Sequence, residues 1–358
     1  MPTAIALARA GRWFLESGIQ EPSGGVARYY RSELGRNKPV STEITGYTAS
    51  ALVYLFRTTG NDEYLDRARK TADFLMTHAW AAELQTFPFE HPSPCPVSPH
   101  AAYFFDCGII IRGLLAVWNQ TGEDRILDVA LDASRAMVAD FHAGPDYHPI
   151  LDLPSKQAQP RTDHWSRSPG CYQLKSALAW YDVAEKTGEA ALRHAYMEML
   201  ETALTTYSSF LPAATPHQTM DRLHAAGYFL EALTPVLDRP DCAAAFTSLL
   251  LSAVDYLHKI APTFARSDVY AQLLRARING ASVVPVDHDA AVLEAAALRH
   301  FQISSDDPRI DGGFSFGRRE GEMSPHINPV STAFALQAQE MWREQQAGNP
   351  PPCRHLLI

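Results

Sequence analysis

A two-helix unit recurs along this chain, and this repeat constrains its fold more than any other feature. Each unit has a first helix, a short turn and a second helix, and successive units lie roughly 50–60 residues apart. In three units the turn is Thr-Gly followed by a polar residue, at 59–61, 121–123 and 187–189. The helix pairs are predicted over residues 42–60 and 61–80, 101–121 and 123–142, 170–187 and 189–209, 216–236 and 240–261, and 266–279 and 287–304.

The two terminal helices complete the repeat. A helix predicted over 3–17 has no partner before it, and a helix over 328–346 has none after it. Pairing them brings the count to about six hairpins, or twelve helices, and a repeat without polar end units closes on itself. We therefore predict an all-α fold, an (α/α)6 toroid that forms a single domain over residues 1–346. The proline-rich segment over 347–358 is predicted to be a flexible tail.

The first helix of each pair is the more apolar, which predicts an inner ring, whereas the second helices have ordinary amphipathic outer faces. The long connections, over 80–100, 143–169 and 305–326, all precede inner helices. Because long loops in compact domains commonly carry function, we expect a polar cavity on the rim where the inner helices begin. A cap followed by proline marks three of these starts, at Ser168-Pro169, Thr215-Pro216 and Asn328-Pro329.

The composition is that of a soluble globular protein, with 46% hydrophobic residues, 20% charged residues and no apolar run long enough to span a membrane. A net charge of −9 argues against general binding to nucleic acid. The first residues are typical of a helix rather than an export signal. Five widely spaced cysteines without a CxxC pair favour free thiols in a reducing, cytoplasmic compartment: Cys95, Cys107, Cys171, Cys242 and Cys353.

The stretch over 215–233 combines a well-marked helix start with an unusual set of ionisable residues. Thr215 caps the helix, and five polar side chains then recur at spacings of about three and four, which stacks them on one face. These residues suit the wall of a polar cavity, although a hydrogen-bonded polar face inside a helical protein is the alternative. They are His217, Asp221, His224, Tyr228 and Glu231.

Carboxylates occur at the starts of several inner helices, where they are expected to face one another across the cavity. Cleavage of a glycoside needs two such groups, one protonated and one ionised. Asp221 is the first choice, because His217, Arg222 and His224 surround it, and Glu43 or Asp106 is its expected partner. Asp106 and Asp268 are equally well explained as helix caps. The predicted catalytic residues are Asp221, His224, Glu43, Asp106 and Asp268.

Aromatic and arginine side chains near the same rim suit a sugar substrate. Sugars present apolar C–H faces that rest on aromatic rings, while their hydroxyls need fixed polar partners. Several arginines near one cavity indicate an acidic group such as a uronate, sulfate or phosphate, and structural ion pairs explain them equally well. The predicted substrate-binding residues are Arg28, Tyr47, Arg112, Trp165, Arg167, Tyr172, His217, Arg222, Tyr228, Gln272, Arg275 and Asn328.

Three short segments carry a resemblance to known proteins: TEITGY at 42–47, FFDCG at 104–108 and DGGFSFG at 311–317. With the Thr-Gly hairpins they resemble the (α/α)6 toroid superfamily, which includes six-hairpin glycosidases, unsaturated-uronide hydrolases, N-acylglucosamine 2-epimerases, glucuronyl epimerases and terpene cyclases. The resemblance covers nearly the whole chain as an architecture and implies carbohydrate chemistry. The DxDD acid of terpene cyclases and the GxCHG zinc elements of lanthionine cyclases are absent from the sequence.

The sequence leaves several classes of function open. The first is a glycoside hydrolase or lyase that acts on a neutral or acidic oligosaccharide by carboxylate chemistry. The epimerase resemblance implies a sugar 2-epimerase or isomerase with His217, His224 or His164 as base. A glycan-binding toroid without turnover and an isoprenoid enzyme are the others. No cofactor and no metal ion are predicted, since three ligands from consecutive turns of one helix rarely converge on one ion.

Overall fold

The computed structural model describes residues 2–91 and 100–358. Within these residues the chain forms twelve α-helices, as predicted, and none of them is long and apolar enough to cross a membrane. Their bounds are α1 (Pro2–Glu16), α2 (Thr42–Thr59), α3 (Asp62–Phe74), α4 (Phe104–Thr121), α5 (Asp124–Phe141), α6 (Leu174–Thr187), α7 (Ala190–Thr206), α8 (Pro216–Ala232), α9 (Pro240–Ile260), α10 (Ser267–Asn279), α11 (His288–Arg299) and α12 (Pro329–Gln346).

Short antiparallel strands lie in the connections that precede the buried helices. They form the sheets β13-β1-β2, β10-β11-β12, β3-β4, β5-β8-β9 and β6-β7. Their bounds are β1 (Tyr30–Arg31), β2 (Arg36–Asn37), β3 (Val40–Ser41), β4 (Glu90–His91), β5 (His100–Tyr103), β6 (His142–Ala143), β7 (Asp146–Tyr147), β8 (Ile150–Leu153), β9 (Gln157–Ala158), β10 (Phe264–Arg266), β11 (Gly317–Arg319), β12 (Glu322–Met323) and β13 (His326–Ile327).

The described chain divides into two compact units. The α2–α7 unit comprises Gln20–Arg28 and Pro39–Thr205, and the α8–α12 unit comprises Met1–Ile19, Tyr29–Lys38 and Thr206–Ile358. In the α2–α7 unit, α4 contacts both α2 and α6, while α3 packs on α2 and α5 on α4. In the α8–α12 unit, α10 contacts both α8 and α12, while α9 packs on α8, α11 on α10 and α1 on α12. The predicted pairing of the first and last helices is confirmed.

The first helix of a pair is buried and the second is amphipathic, as the hydrophobic pattern predicts. In α4, every residue from 106 to 117 is buried. Its partner α5 buries only positions at helical spacing, among them Ile126, Ala130 and Met137. The Thr-Gly turns between such helices place glycine in the left-handed region, with φ of 68° at Gly122, where a side chain is strained.

Two glycines allow α2 and α4 to pack backbone against backbone. A Cβ atom built on Gly113 would lie 2.4 Å from the carbonyl oxygen of Gly46, and one built on Gly46 would lie 2.8 Å from the Cα of Ile110. No side chain fits at either position without moving main chain. The contact therefore fixes the spacing of the two helices whose first turns carry Glu43 and Asp106.

Gly113→Ala is expected to lower the free energy of unfolding by about 1–3 kcal/mol, because overpacking a rigid contact shifts the backbone. Urea unfolding monitored by circular dichroism measures the change. Asn119→Ala, at an exposed position on the same helix, is the matched control and should change the free energy by less than about 0.5 kcal/mol. Equal stability of Gly113→Ala and the parent would mean that α2 and α4 are not in this close contact.

One prediction about the chain's local structure is corrected. Thr215 and Asn328 cap α8 and α12 as predicted, but Ser168 caps no helix: a 3₁₀ turn over Cys171–Gln173 comes first and α6 begins at Leu174. Leu357 and Ile358, the last two residues of the segment predicted as a flexible tail, are buried, because these apolar side chains pack against the core. The Ile358 amide donates to Oε1 of Gln337 over 3.1 Å.

Candidate functional site

A short extended segment at Phe89 ties together the starts of α2 and α4. The Phe89 carbonyl accepts a hydrogen bond from the Thr42 amide over 3.2 Å, and its amide donates to the Ala101 carbonyl over 2.9 Å. Thr42 opens α2, and Ala101 lies in β5, which leads directly into α4. The segment therefore positions the first turns of both helices next to it.

Two acids, Glu43 and Asp106, occupy these first turns, and the ionisation of both is shifted. Burial raises the pKa of Glu43 to about 7, although the nearby charge of Arg28 opposes the rise. Burial also raises the pKa of Asp106 well above its ordinary value, and the charge of Glu43 raises it further, again against Arg28. Two carboxyl groups in one buried environment resist simultaneous ionisation, so one of them keeps its proton near neutral pH.

Asp106 is not used as a helix cap. Its side chain is 4% exposed, and its Oδ2 has no hydrogen-bond partner among the described residues. The position that precedes α4, Tyr103, makes no side-chain cap either. A buried carboxyl oxygen without a partner is costly in a folded protein, which points to a role toward a ligand.

The α8–α12 unit holds a separate network around an arginine that the sequence analysis did not single out. Arg266 donates to Asp268 through two nitrogens, over 3.0 and 2.6 Å, and to Oδ1 of Asp221 over 2.8 Å. Burial raises the pKa of Asp268, but the interactions with Arg266 and His224 lower it by more. The pKa of Asp268 therefore lies below its ordinary value. Both acids are therefore held in ion pairs.

His224 is buried beside this network and is held neutral. Its Nδ1 lies 2.7 Å from Oε1 of Gln272 and 3.5 Å from Oδ2 of Asp268. Burial lowers its pKa to about 4, against the charge of Asp268. Because two acceptors face Nδ1, the proton of the neutral ring lies there and Nε2 is the basic nitrogen. Gly227 makes the arrangement possible, since a Cβ at that position would come within 2.8 Å of the Gln272 amide carbon.

A cavity of about 670 Å³ lies within the α8–α12 unit. His217 and Asp221 both line it, so the predicted polar face of α8 does open on a hollow, whereas His224 is buried. The His217 ring stacks on Phe264 with centroids 4.6 Å apart, and the Arg319 guanidinium lies 3.1 Å from its Nδ1.

Several residues predicted to bind substrate have structural partners instead. For Arg112 and Arg275 the reason is burial, because a buried guanidinium needs a carboxylate partner and each of the two has one in its own unit. Arg112 donates to Asp182 over 3.1 Å, and Arg275, with a side-chain exposure of 0%, pairs with Glu231. Arg222 bonds the Phe210 carbonyl, Asn328 caps α12, and Tyr47, Tyr228 and Gln272 are buried.

The remaining predicted binding residues cluster in the α2–α7 unit. Arg28 and Arg167 are exposed and Trp165 is partly exposed, while Tyr172 is buried and packs edge-to-face on Trp165 with centroids 5.0 Å apart. Of the four predicted acids, Glu43 and Asp106 lie in this unit, and Asp221 and Asp268 lie in the α8–α12 unit.

No family model matches the chain, and no curated protein matches it either. Several solved structures do match the chain. Cellobiose 2-epimerase from Spirochaeta thermophila DSM 6192 is 14% identical with a TM-score of 0.72 and covers 95% of this chain and 98% of its own. Unsaturated glucuronyl hydrolase from Bacillus sp. GL1 is 13% identical with a TM-score of 0.67, covering 96% and 97%. A D-mannose isomerase is 9% identical with a TM-score of 0.70, covering 94% and 96%. This likeness shows the fold: the predicted (α/α)6 toroid is confirmed.

Proposed function

We propose that this protein is a carbohydrate-active enzyme that cleaves a glycosidic bond of an oligosaccharide, by hydrolysis or elimination, with Asp106 as acid and Glu43 as base. One observation carries the proposal: burial raises the pKa of two carboxyl groups in the first turns of neighbouring helices, Glu43 raises that of Asp106 further, and Asp106 has a buried oxygen with no hydrogen-bond partner among the described residues. Proteins whose structures this chain resembles include an enzyme named as a hydrolase of unsaturated glucuronyl groups.

The two acids differ in ways that assign their roles. Asp106 is the more buried, and the charge of Glu43 adds to the effect of burial in raising its pKa, so it holds a proton for the leaving oxygen. Glu43 has a pKa of about 7, so near neutrality about half of its population is ionised and accepts a proton from water or from the sugar. Asp221, the acid that the sequence favours, forms an ion pair with Arg266. We therefore assign the role of general acid to Asp106.

Product analysis tests the proposal. The purified protein is incubated with a panel of oligosaccharides and 4-nitrophenyl glycosides, and new reducing ends are measured beside the ultraviolet absorbance of a C4–C5 double bond. Hydrolysis gives reducing ends alone, and elimination gives both signals. Binding of saccharides without either product would contradict the proposal and favour the glycan-binding toroid.

A second candidate function is favoured by a specific observation in the α8–α12 unit. His224 is neutral, with its proton fixed on Nδ1 by Gln272 and Asp268. A neutral imidazole with a basic Nε2 suits removal of a proton beside a sugar carbonyl, the chemistry of a 2-epimerase or isomerase. Two of the similar structures are named as such enzymes.

Deuterium exchange separates the two candidates. An epimerase incorporates deuterium from D₂O at C2 of a reducing sugar, and His224→Phe should reduce this exchange by about 10²–10⁴-fold, the usual worth of a positioned base. Proton NMR of cellobiose and mannose measures the exchange. Asp106→Asn is the matched comparison, because it should leave the exchange intact if His224 is the base. Absence of exchange in the parent protein would exclude the second candidate for these sugars.

We also propose a cytoplasmic location. The supporting observation is that Cys107, Cys171 and Cys242 are buried at separate positions and Cys353 is exposed, which suits a reducing environment. Cys95 lies outside the described residues.

A further inference from the structure

Two arginines of the α2–α7 unit stand beside the acid pair, and the acid–base chemistry alone does not require both. Arg28 acts on the ionisation of both Glu43 and Asp106. Its side chain is 48% exposed, and among the described residues its ion pair is a long contact of 3.6 Å to Glu90. An arginine that is needed only to balance the acids would be drawn into a close pair, as Arg112 is with Asp182.

Arg167 approaches from a different part of the chain. It ends the 3₁₀ turn Trp165–Arg167, in the long connection before α6. Its guanidinium donates to two neutral groups, Oε1 of Gln159 over 3.5 Å and the Tyr103 hydroxyl. Among the residues that the structure describes, no carboxylate lies within ion-pair distance of it.

The Tyr103 side chain interacts with Arg28, Arg167 and Asp106. Both Arg28 and Arg167 act electrostatically on its hydroxyl, and so does Asp106. The Tyr103 ring packs on Phe89 with centroids 5.0 Å apart, and Arg28 lies over the same Phe89 ring at 4.9 Å. Arg28 and Tyr103 thus contact the same Phe89 ring, and Arg167 bonds the Tyr103 hydroxyl, three residues before Asp106 in the chain.

Aromatic side chains lie next to Arg167 and Asp106 in the chain. Trp165 begins the 3₁₀ turn that ends at Arg167 and packs edge-to-face on Tyr172 with centroids 5.0 Å apart, and Phe105, beside Asp106, contacts Tyr172 with centroids 6.1 Å apart. Partly exposed aromatic rings next to fixed cations suit a ligand with an apolar ring face and an anionic substituent. A sugar acid or a sulfated sugar has both features.

We propose that Arg28, Arg167 and Tyr103 form a subsite for the anionic group of a saccharide, a carboxylate or a sulfate, next to Asp106. The proposal rests on the proposed function, because it makes an anionic oligosaccharide the substrate of the same acid pair. Arginine presents paired N–H donors that match the geometry of a carboxylate or sulfate, and two arginines from different segments fix its orientation. The subsite selects acidic over neutral sugars.

Calorimetric titration of the Asp106→Asn variant tests the subsite without turnover. The probes are D-glucuronate, D-glucose 6-sulfate and D-glucose. The two anionic sugars should bind at least about 10-fold more tightly than glucose, and the preference should weaken as salt rises. The better of the two identifies whether the group is a carboxylate or a sulfate. Equal affinity for all three sugars, or no binding of either anionic sugar, overturns the subsite.

Arginine variants in the same background locate the effect. Arg28→Met and Arg167→Met should each reduce the affinity for the better anionic sugar by about 10-fold, and Arg28→Lys should restore part of it. Arg161→Met is the matched control, since Arg161 is an exposed arginine of the same connection that contacts Asp146 at 3.5 Å, and it should change nothing. Circular dichroism checks that each variant folds. An equal loss in Arg161→Met would show general charge attraction and overturn the subsite.

The outcomes for the subsite and for the proposed function differ. If the protein cleaves neutral and acidic oligosaccharides equally well, the anion subsite is wrong and the acid pair stands. If anionic sugars bind through Arg28 and Arg167 but no saccharide is cleaved, the subsite stands and the proposed cleavage is wrong.

Discussion

Asp106→Asn is expected to reduce kcat on the cleaved saccharide by about 10²–10⁴-fold, the usual contribution of a positioned general acid. Asparagine has nearly the same shape but no proton to give to the leaving oxygen. Because the substrate's other contacts are unchanged, KM should stay within a few-fold. Steady-state kinetics on the best substrate from the product screen measure both constants.

Asp128→Asn is the matched control for this substitution. Asp128 lies on α5 in the same unit but is exposed, so its loss should leave kcat unchanged. An Asp106→Asn variant that keeps more than a tenth of the parent's kcat would exclude Asp106 as the acid. A large rise in KM at constant kcat would instead assign Asp106 to substrate binding.

Glu43→Gln is expected to lower kcat and at the same time to stabilise the protein at alkaline pH. The pKa of Glu43 is about 7 in the folded protein, above the ordinary value of 4.5. Between these pH values the unfolded chain loses its proton more readily than the folded one, so the free energy of unfolding falls as pH rises. Glutamine avoids this penalty, which amounts to about 3 kcal/mol above pH 7.

Urea unfolding at pH 4 and pH 8 measures this effect. The variant should be more stable than the parent at pH 8 and nearly equal to it at pH 4, where Glu43 is protonated in both states. Glu83→Gln replaces an exposed glutamate of the same unit and should show no such difference between the two pH values. If Glu43→Gln gains no stability at pH 8, the carboxyl of Glu43 is not held at a raised pKa.

The helical repeat is predictable from the sequence because local signals specify it. A helix period of 3.6 separates buried α4 from amphipathic α5, and glycine in the left-handed region ends α2, α4 and α6. The caps Thr215 and Asn328 act as their residue types suggest. Ser168 does not, because a 3₁₀ turn over Cys171–Gln173 intervenes before α6 begins.

The short strands leave no such signal. A strand of two residues, such as β3 or β4, is too brief to show an alternating pattern. Yet Phe89, beside β4, ties the start of α2 to β5. The approach of Glu43 to Asp106 thus depends on backbone hydrogen bonds that no residue pattern reveals.

The identity of the important acids also depends on tertiary structure. The sequence shows four carboxylates at helix starts, and their types do not distinguish them. Arg266 distinguishes them, because it lies two residues before Asp268, also reaches Asp221, and donates hydrogen bonds to both. Because Asp221 and Arg266 lie 45 residues apart in the chain, residue spacing does not reveal this ion pair. Burial, and a carboxyl oxygen with no hydrogen-bond partner among the described residues, favour Asp106.

Glu43 and Asp106 share a buried environment, and one of them is expected to keep a proton at neutral pH. Infrared difference titration of the protonated carboxyl band, in the parent, Glu43→Gln and Asp106→Asn, tests this expectation most directly. The parent should show one carboxyl that titrates near pH 7 and another that stays protonated to higher pH, and each variant should lose one of these signals. If both carboxyls are already ionised at pH 6, the acid pair does not exist and the proposed cleavage chemistry has no acid.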